Sequence, residues 1–584
     1  MASELVNLTM AAHVRRVEAD LNEINTFYNI PIAPRRFEVL NTYHTNELEY
    51  LEEIDFDALD QENKVDYILL RTFHNRALTN LKLESESQQE FMPLLPFADD
   101  FITILEDRQD VKPLDAKETA RKLGVINTSI TQAQNDVLDG KFDVSTTTGY
   151  LASRAIQDLV GLWEEWNTFY ALYNPLYDFW LTKPWRATNA TLNNYLTVVQ
   201  TELAGMNRDG RDVIVGEPIG RAGLEVELQA EMIPYTPEEL IEIGNQEFEW
   251  CEAEMKKQSQ ALGYGDDWKA ALEYVKNDYM PPGEQTEYVR QLVVEGSNFV
   301  LERDMVSVPP IANATWRMLM IEAARQRVSP FFLGGDSIQV SYPVVEMEHD
   351  MKLMVMRGNN KHFARATAFH EMFPGHRLHL YMAERFNPHR RWMFDTPFMV
   401  EGWSLYWEFL FYDRDDFHTS PEGRIGALWW RMHRCLRILF SLQFHLGEMT
   451  ADEAVDLLVD RIDHERANAE GEVRRSVEGS YSPLYQAGYM LGALQLWKLR
   501  ELAVDSGEMT EKEFHDAILR TGMMPIEMVK ALVMGDELTR DFKSEWKFYD
   551  FGLESGHDYS RRPVTVAQHT EFHTQLQHGG NGWK

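Results

Sequence analysis

Residues Ala366-Thr367-Ala368-Phe369-His370-Glu371-Met372-Phe373-Pro374-Gly375-His376-Arg377-Leu378-His379 set two imidazoles and a carboxylate around a Pro-Gly break inside an otherwise helical pattern. In an unbroken helix, six residues turn ~600°, so His370 and His376 would point ~120° apart. They can face one point only if the chain deviates between them. Pro374 supplies the deviation. It cannot donate to the carbonyl four residues back, that of His370, and its ring crowds that carbonyl. Gly375 then admits the dihedrals that bring His376 round.

A second carboxylate follows in Phe398-Met399-Val400-Glu401-Gly402-Trp403, just inside a helix opened by Asp395-Thr396-Pro397. Two His nitrogens, a carboxylate oxygen and a spare carboxylate are the parts of a three-ligand catalytic zinc site. In the usual H-E-x-x-H spacing both His lie on one helix face with the Glu beside them. Here a bend replaces that spacing. His370, His376 and Glu401 are therefore the expected ligands of one Zn2+, with Glu371 as general base and then general acid. Glu408, seven residues past Glu401 and near the same face, is the rival oxygen ligand. Glu401 could instead serve only as a charge at a helix N-terminus.

These motifs resemble the H-E-x-x-P-G-H and E-G-W signatures of the DUF885 family. Pro483 through Gly492 (PLYQAGYMLG) is similar to the family's P-G-Q-x-x-S-Y-x-x-G, departing at Leu484, Tyr485 and Gly488. His379 stands where members usually carry Gln. The resemblance runs from about residue 30 to 550 and implies a large zincin-like helical metallohydrolase whose third metal ligand is Glu401. It makes Tyr489 the first choice for the donor that a tetrahedral oxyanion needs besides the metal. Tyr485, four residues earlier on the same helical face, is the second choice. His379 is a candidate transition-state donor, Arg474 and Arg475 are candidates for a substrate carboxylate, and Asp336 and His349 are weaker candidates for orienting ligands.

With 584 residues the chain can bury a large core. Its 57 basic and 93 acidic residues leave a net charge of −36. That balance argues against a nucleic-acid backbone or an anionic membrane as partner. Two cysteines, Cys251 and Cys435, imply no disulfide framework, and no apolar run reaches membrane-spanning length. The opening residues lack a secretion-signal pattern. The expectation is a cytoplasmic protein acting on a peptide or amide-containing small substrate.

Outward from the motif, apolar spacing predicts helix after helix, with Leu159, Leu162, Trp163, Trp166 and Phe169 as one core stripe. Thr236, Thr450 and Thr510, each with Glu three residues on, predict capping boxes. Asp143 through Gly149 is expected to be a connection. Weak strand signals fall at Val213–Val215 and Leu224–Leu228. Stronger ones fall at Gln339–Tyr342 and Met351–Met356, where a strand edge beside the metal helix could pair with extended substrate. The fold class is thus predominantly α-helical, with a deep cleft and a small sheet near the active-site helix. The expected division is 1–230 as one wall of the cleft, 231–557 as the catalytic region and 558–584 as a C-terminal arm, within one integrated domain. The expected function is zinc-dependent hydrolysis of a peptide or related amide bond. The alternatives are a metal-dependent hydrolase or transferase acting on a non-peptide small molecule, and a non-catalytic helical binding protein stabilised by metal.

Overall fold

Helix starts are set locally wherever the sequence carries a cap. In the computed structural model, which describes residues 9–206, 213–326, 331–414 and 416–552, all three capping boxes form. Thr236, Thr450 and Thr510 each accept the backbone N–H three residues on at 3.2 Å. Glu239, Glu453 and Glu513 reach back to the threonine N–H, opening helices Pro237–Ala261, Ala451–Ile462 and Glu511–Thr521. Ser145 caps Thr146–Tyr170 through the N–H of Thr148. The expected connection therefore ends at Ser145, and Thr146 to Gly149 are helical. The expected C-terminal arm lies outside the described residues.

Helices dominate, and their buried side chains form two cores. One gathers residues 10–70 with residues 214–549; the other is built from residues 30–33 and 91–199. The second core lies wholly before residue 230, and the first draws on both sides of it. The long helix Gln61–Phe91 serves both, giving Val65 and Leu69 to the first and Phe91 to the second. In the second core Trp163 stacks on Trp166 at 4.5 Å, as the stripe anticipates. Phe169, from the same stripe, is exposed instead.

The only sheet among the described residues has two parallel strands, β1 (Arg317–Met320) and β2 (Ser337–Val340). Three strand expectations are corrected. Met351–Met356 lies in helix His349–Gly358, because Met, Lys and Leu are strong helix formers and a short apolar run does not separate helix from strand. Leu224–Leu228 lies in helix Gly220–Ala230, where Leu224 and Leu228 are buried at i, i+4 spacing. Val213–Val215 is irregular. The strand expected at Gln339–Tyr342 is β2, shifted two residues toward the N-terminus. At Gln339, β2 pairs with Leu319 of β1 and with Leu333, exchanging backbone hydrogen bonds of 3.0 and 2.7 Å with the latter. It therefore has no open edge there for a substrate. No described helix is long and apolar enough to cross a membrane.

Helix Pro397–Asp413 lies against Tyr485–Arg500 at backbone contact. Glycine permits the approach. A Cβ on Gly402 would sit 2.6 Å from the Gly492 carbonyl carbon, one on Gly488 2.9 Å from that of Pro397, and one on Gly492 would overlap the Phe398 carbonyl oxygen. Gly492→Ala should force the pair apart and cost ~1–3 kcal/mol, as overpacking does. An unchanged urea midpoint in that variant would contradict the contact.

Burial also sets an acid limit on stability. His74 and His418 are pushed down to about 3, and His464 and His515 to about 4, chiefly by desolvation. Unfolded histidine titrates near ~6.5, so this stability is complete above that pH and is lost as pH falls through the lower folded values. Buried Glu231 and Glu371, raised to about 7 and about 8 by desolvation, work in the opposite sense and are outnumbered. Urea midpoints should fall steadily below ~6.5. Equal midpoints at pH 7 and pH 5 would contradict the neutral histidines.

Candidate active site

Helix Lys361–Glu371 ends at the motif carboxylate, and His376 begins the next helix, His376–Ala383. Between them the Phe373–Pro374 peptide bond is cis. The Gly375 amide donates to the Phe369 carbonyl at 3.2 Å. A Cβ on Gly375 would overlap the His370 carbonyl oxygen, so the turn closes only on a residue without a side chain. Its φ of −74° is ordinary. The glycine is needed for close approach rather than for an unusual φ.

That turn brings the imidazoles together. Their rings are 4.7 Å apart and nearly perpendicular. His370 Nε2 and His376 Nε2 each lie 3.1 Å from Glu401 Oε2. One atom from each of the three residues falls within 4.8 Å of the other two, and all three residues are buried. Glu371 Oε2 is 3.9 Å from His376 Nε2.

One helix supplies most of the support. Thr396 caps Pro397–Asp413, as expected. From that helix Glu401 faces both histidines, and Trp403 donates its indole N–H to the Pro374 carbonyl at 2.9 Å, pinning the turn. Ser404 Oγ is 3.1 Å from His376 Nδ1. Glu408 Oε1 is 2.8 Å from His370 Nδ1. Glu408 is thus not a rival ligand; it stands behind His370 and orients the ring. With a proton held on Nδ1 by Glu408, Nε2 is the nitrogen left to donate to Glu401 when protonated or to ligate a metal. Tyr485 donates to the other Glu401 oxygen at 2.5 Å.

Electrostatics follow from burial and from these neighbours. Burial disfavours protonated His370, but hydrogen bonds to Glu401 and Glu408 outweigh it and raise its pKa. Burial likewise opposes ionisation of Glu401, yet the two imidazoles hold it well below the ordinary carboxylate range. Glu371 has no such hydrogen bond among the described residues, and desolvation lifts it to about 8.

The group opens on a cavity of about 260 Å³ lined by His370, Glu371, His376, Glu401, Tyr485 and Tyr489 among others. A sequence model described as bacterial protein of unknown function (DUF885) matches residues 34–533. The chain belongs to the DUF885 family.

Among solved structures, this DUF885 chain is similar to a candidate lipoprotein of unknown function from Shewanella oneidensis. The two are 16% identical with a TM-score of 0.67, over 90% of this chain and 100% of that one. A candidate lipoprotein from Colwellia psychrerythraea is 17% identical with a TM-score of 0.54, over 90% and 97% of the two chains. At these identities the likeness is one of fold. No curated protein matches the sequence.

The remaining expected residues divide. Tyr489 lines the cavity, its ring stacked 6.0 Å from that of His370. Arg475 also lines it, whereas Arg474 does not. His379 is corrected: it does not reach the cavity but packs on Trp403 at 5.5 Å, where burial lowers its pKa to about 3. Asp336 pairs with Arg377 at 2.7 Å, and His349 is exposed at a helix start, so neither orients a ligand. Sequence reasoning missed Ser404, Arg434, Arg437 and Gly334, where a Cβ would overlap Glu371 Oε2. Ser404 was within reach, because it follows Glu401 by three residues on the face that also carries Glu408.

Proposed function

We propose that this DUF885 protein is a zinc-dependent hydrolase of peptide or related amide bonds. We read its helical body as zincin-like and the cavity as the floor of a deep cleft. The observation that carries the reading is the convergence of His370, His376 and Glu401 beside the uncommitted carboxylate of Glu371.

The donor set fits the ion. Ligands bound tetrahedrally at ~2.0–2.1 Å lie ~3.3 Å from one another, close to the 3.1 Å from Glu401 Oε2 to each histidine nitrogen. Three ligands, rather than four, are the mark of a catalytic site. The carboxylate–histidine contact of Glu408 is the support such ligands ordinarily carry.

When bound, zinc supplies Lewis acidity, polarising a carbonyl and lowering the pKa of water toward ~7. The chain's own residues do the rest. Glu371 takes the proton of the attacking water and passes it to the amide nitrogen as the C–N bond breaks. Burial makes it a strong base once ionised, and a neighbouring cation favours the ionised form. Tyr485 is committed to Glu401, so Tyr489 is the better donor to the oxyanion. The cavity volume is at the small end of ligand sites, which favours a short substrate. Cys251 and Cys435 are both buried and unbridged. We place the protein in the cytoplasm because two cysteines in 584 residues make no disulfide framework, although both structural neighbours carry the name lipoprotein.

Glu371→Gln should retain one zinc per chain and lose ~10²–10⁴-fold in turnover. Full activity in that variant would refute the role. Glu408→Gln should weaken zinc affinity by ~10–100-fold without unfolding the protein. Competition with a chromogenic chelator checks this, and wild-type affinity would remove Glu408 from the site.

A further inference from the structure

One wall of the cavity carries more positive charge than its own carboxylates balance. Arg434 and Arg437 come from helix Pro421–His445 and Arg475 from Arg466–Val477, and all three line the cavity that holds Glu371. They are 3%, 3% and 9% exposed. Glu472, itself fully buried, is shared between two of them: its oxygens lie 2.6 Å from Arg437 Nη2 and 2.6 Å from Arg475 Nη2. Arg437 and Arg475 hold its pKa down at about 2 against the desolvation that would raise it, so it carries one negative charge and no more. The one carboxylate against Arg434 among the described residues is Glu408 at 3.5 Å, which already accepts from His370, while Arg434 Nη1 donates to the Trp430 carbonyl at 3.4 Å.

Three guanidinium groups on this wall thus have two carboxylates in ion-pair contact, Glu472 and Glu408. The Nη1 and Nε of Arg437 and the Nε of Arg475 make no hydrogen bond among the described residues. Arginine does not escape by losing its proton, and an uncompensated buried ion costs several kcal/mol. Ring contacts offset part of this. Arg437 lies 4.4 Å over Tyr489 and Arg434 4.3 Å over Trp430. Such contacts strengthen when desolvated but supply no hydrogen-bond acceptor. In a chain of net charge −36, a buried cationic wall is not a sample of the average surface.

We propose that Arg437 and Arg475, with Arg434 beside them, form the subsite for a carboxylate on the substrate, placed next to the bond that is cut. The proposal rests on the hydrolase reading and names its substrate class: short amides with a free carboxylate close to the scissile bond. A planar guanidinium matches a carboxylate with paired hydrogen bonds. The spacing is suitable. The Tyr489 ring is 4.4 Å from the Arg437 guanidinium and 6.0 Å from the His370 ring. Those two distances put the guanidinium and the His370 ring no more than two to three residues of extended chain apart, at ~3.4 Å each. The carboxylate could be a peptide C-terminus or an acidic side chain beside the scissile bond.

The test has two arms. In the first, the zinc-loaded protein is given matched peptides with a free C-terminus, a C-terminal amide, and a C-terminal amide with Glu beside the cut. The expected result is a kcat/KM lower by roughly tenfold or more for the plain amide. Rescue by Glu assigns the side chain as source, and no rescue assigns the C-terminus. Equal cleavage of acid and plain amide overturns the subsite. In the second arm, the chelated, zinc-free protein is titrated with N-acetylalanine and N-acetylalaninamide by saturation-transfer NMR. The acid should bind roughly tenfold or more tightly, and Arg475→Lys, which keeps the charge but not the fork, should narrow the difference. Equal binding of acid and amide overturns the proposal. Preference for the acid without cleavage of any peptide keeps the subsite and sinks the hydrolase reading.

Discussion

Everything at the candidate site depends on Glu401 Oε2 lying 3.1 Å from two imidazole nitrogens that a straight helix would point apart. The convergence needs a turn so tight that a side chain at Gly375 would overlap the His370 carbonyl. It also needs helix Pro397–Asp413 at a fixed depth, which the glycines between it and Tyr485–Arg500 permit. Trp403 ties the two requirements together, since its indole holds the Pro374 carbonyl while Glu401, two residues earlier, meets both histidines. Ser404 and Glu408 on the same helix fix the outer ring nitrogens. One rigid element therefore supplies the oxygen donor, the clamp on the turn and the orientation of both rings. Such preorganisation is what a metal or transition-state site requires of its support.

Away from the cavity, buried arginines lie against carboxylates of their own. Buried Arg390 pairs with Asp66 at 2.7 Å, and Arg431 with Glu247 at 2.9 Å. Each pair offsets the cost of its own desolvation. At the cavity wall Glu472 answers two arginines, and Arg434 stands beside them. Excess charge is retained at the place where a ligand could neutralise it. Under the proposed function, the carboxylate subsite and Glu371 engage one short molecule.

How far the sequence disclosed this arrangement depends on the range of each signal. The bend at Pro374-Gly375, the three capping boxes and the convergence of His370, His376 and Glu401 were legible, because proline, glycine and cap chemistry act over a few residues. Met351–Met356 was misread, since a short apolar run does not distinguish strand from helix when tertiary packing decides. Glu408 was placed on the correct face but given the wrong depth. Helical phase says which way a side chain points, not whether it meets an ion or the back of an imidazole. His379 was misplaced for a related reason, because its distance from the cavity depends on Trp403, which sequence spacing does not position. The partnership of Arg437 and Arg475 through Glu472 joins two helices and was invisible until they were packed.

The central claim is that His370, His376 and Glu401 bind one metal ion. Anomalous diffraction at the zinc edge, from crystals grown with zinc, tests it most directly. The account requires a single peak ~2.0–2.2 Å from one nitrogen of each histidine and one oxygen of Glu401. Absence of density there, with the imidazoles still hydrogen-bonded to Glu401, would contradict it.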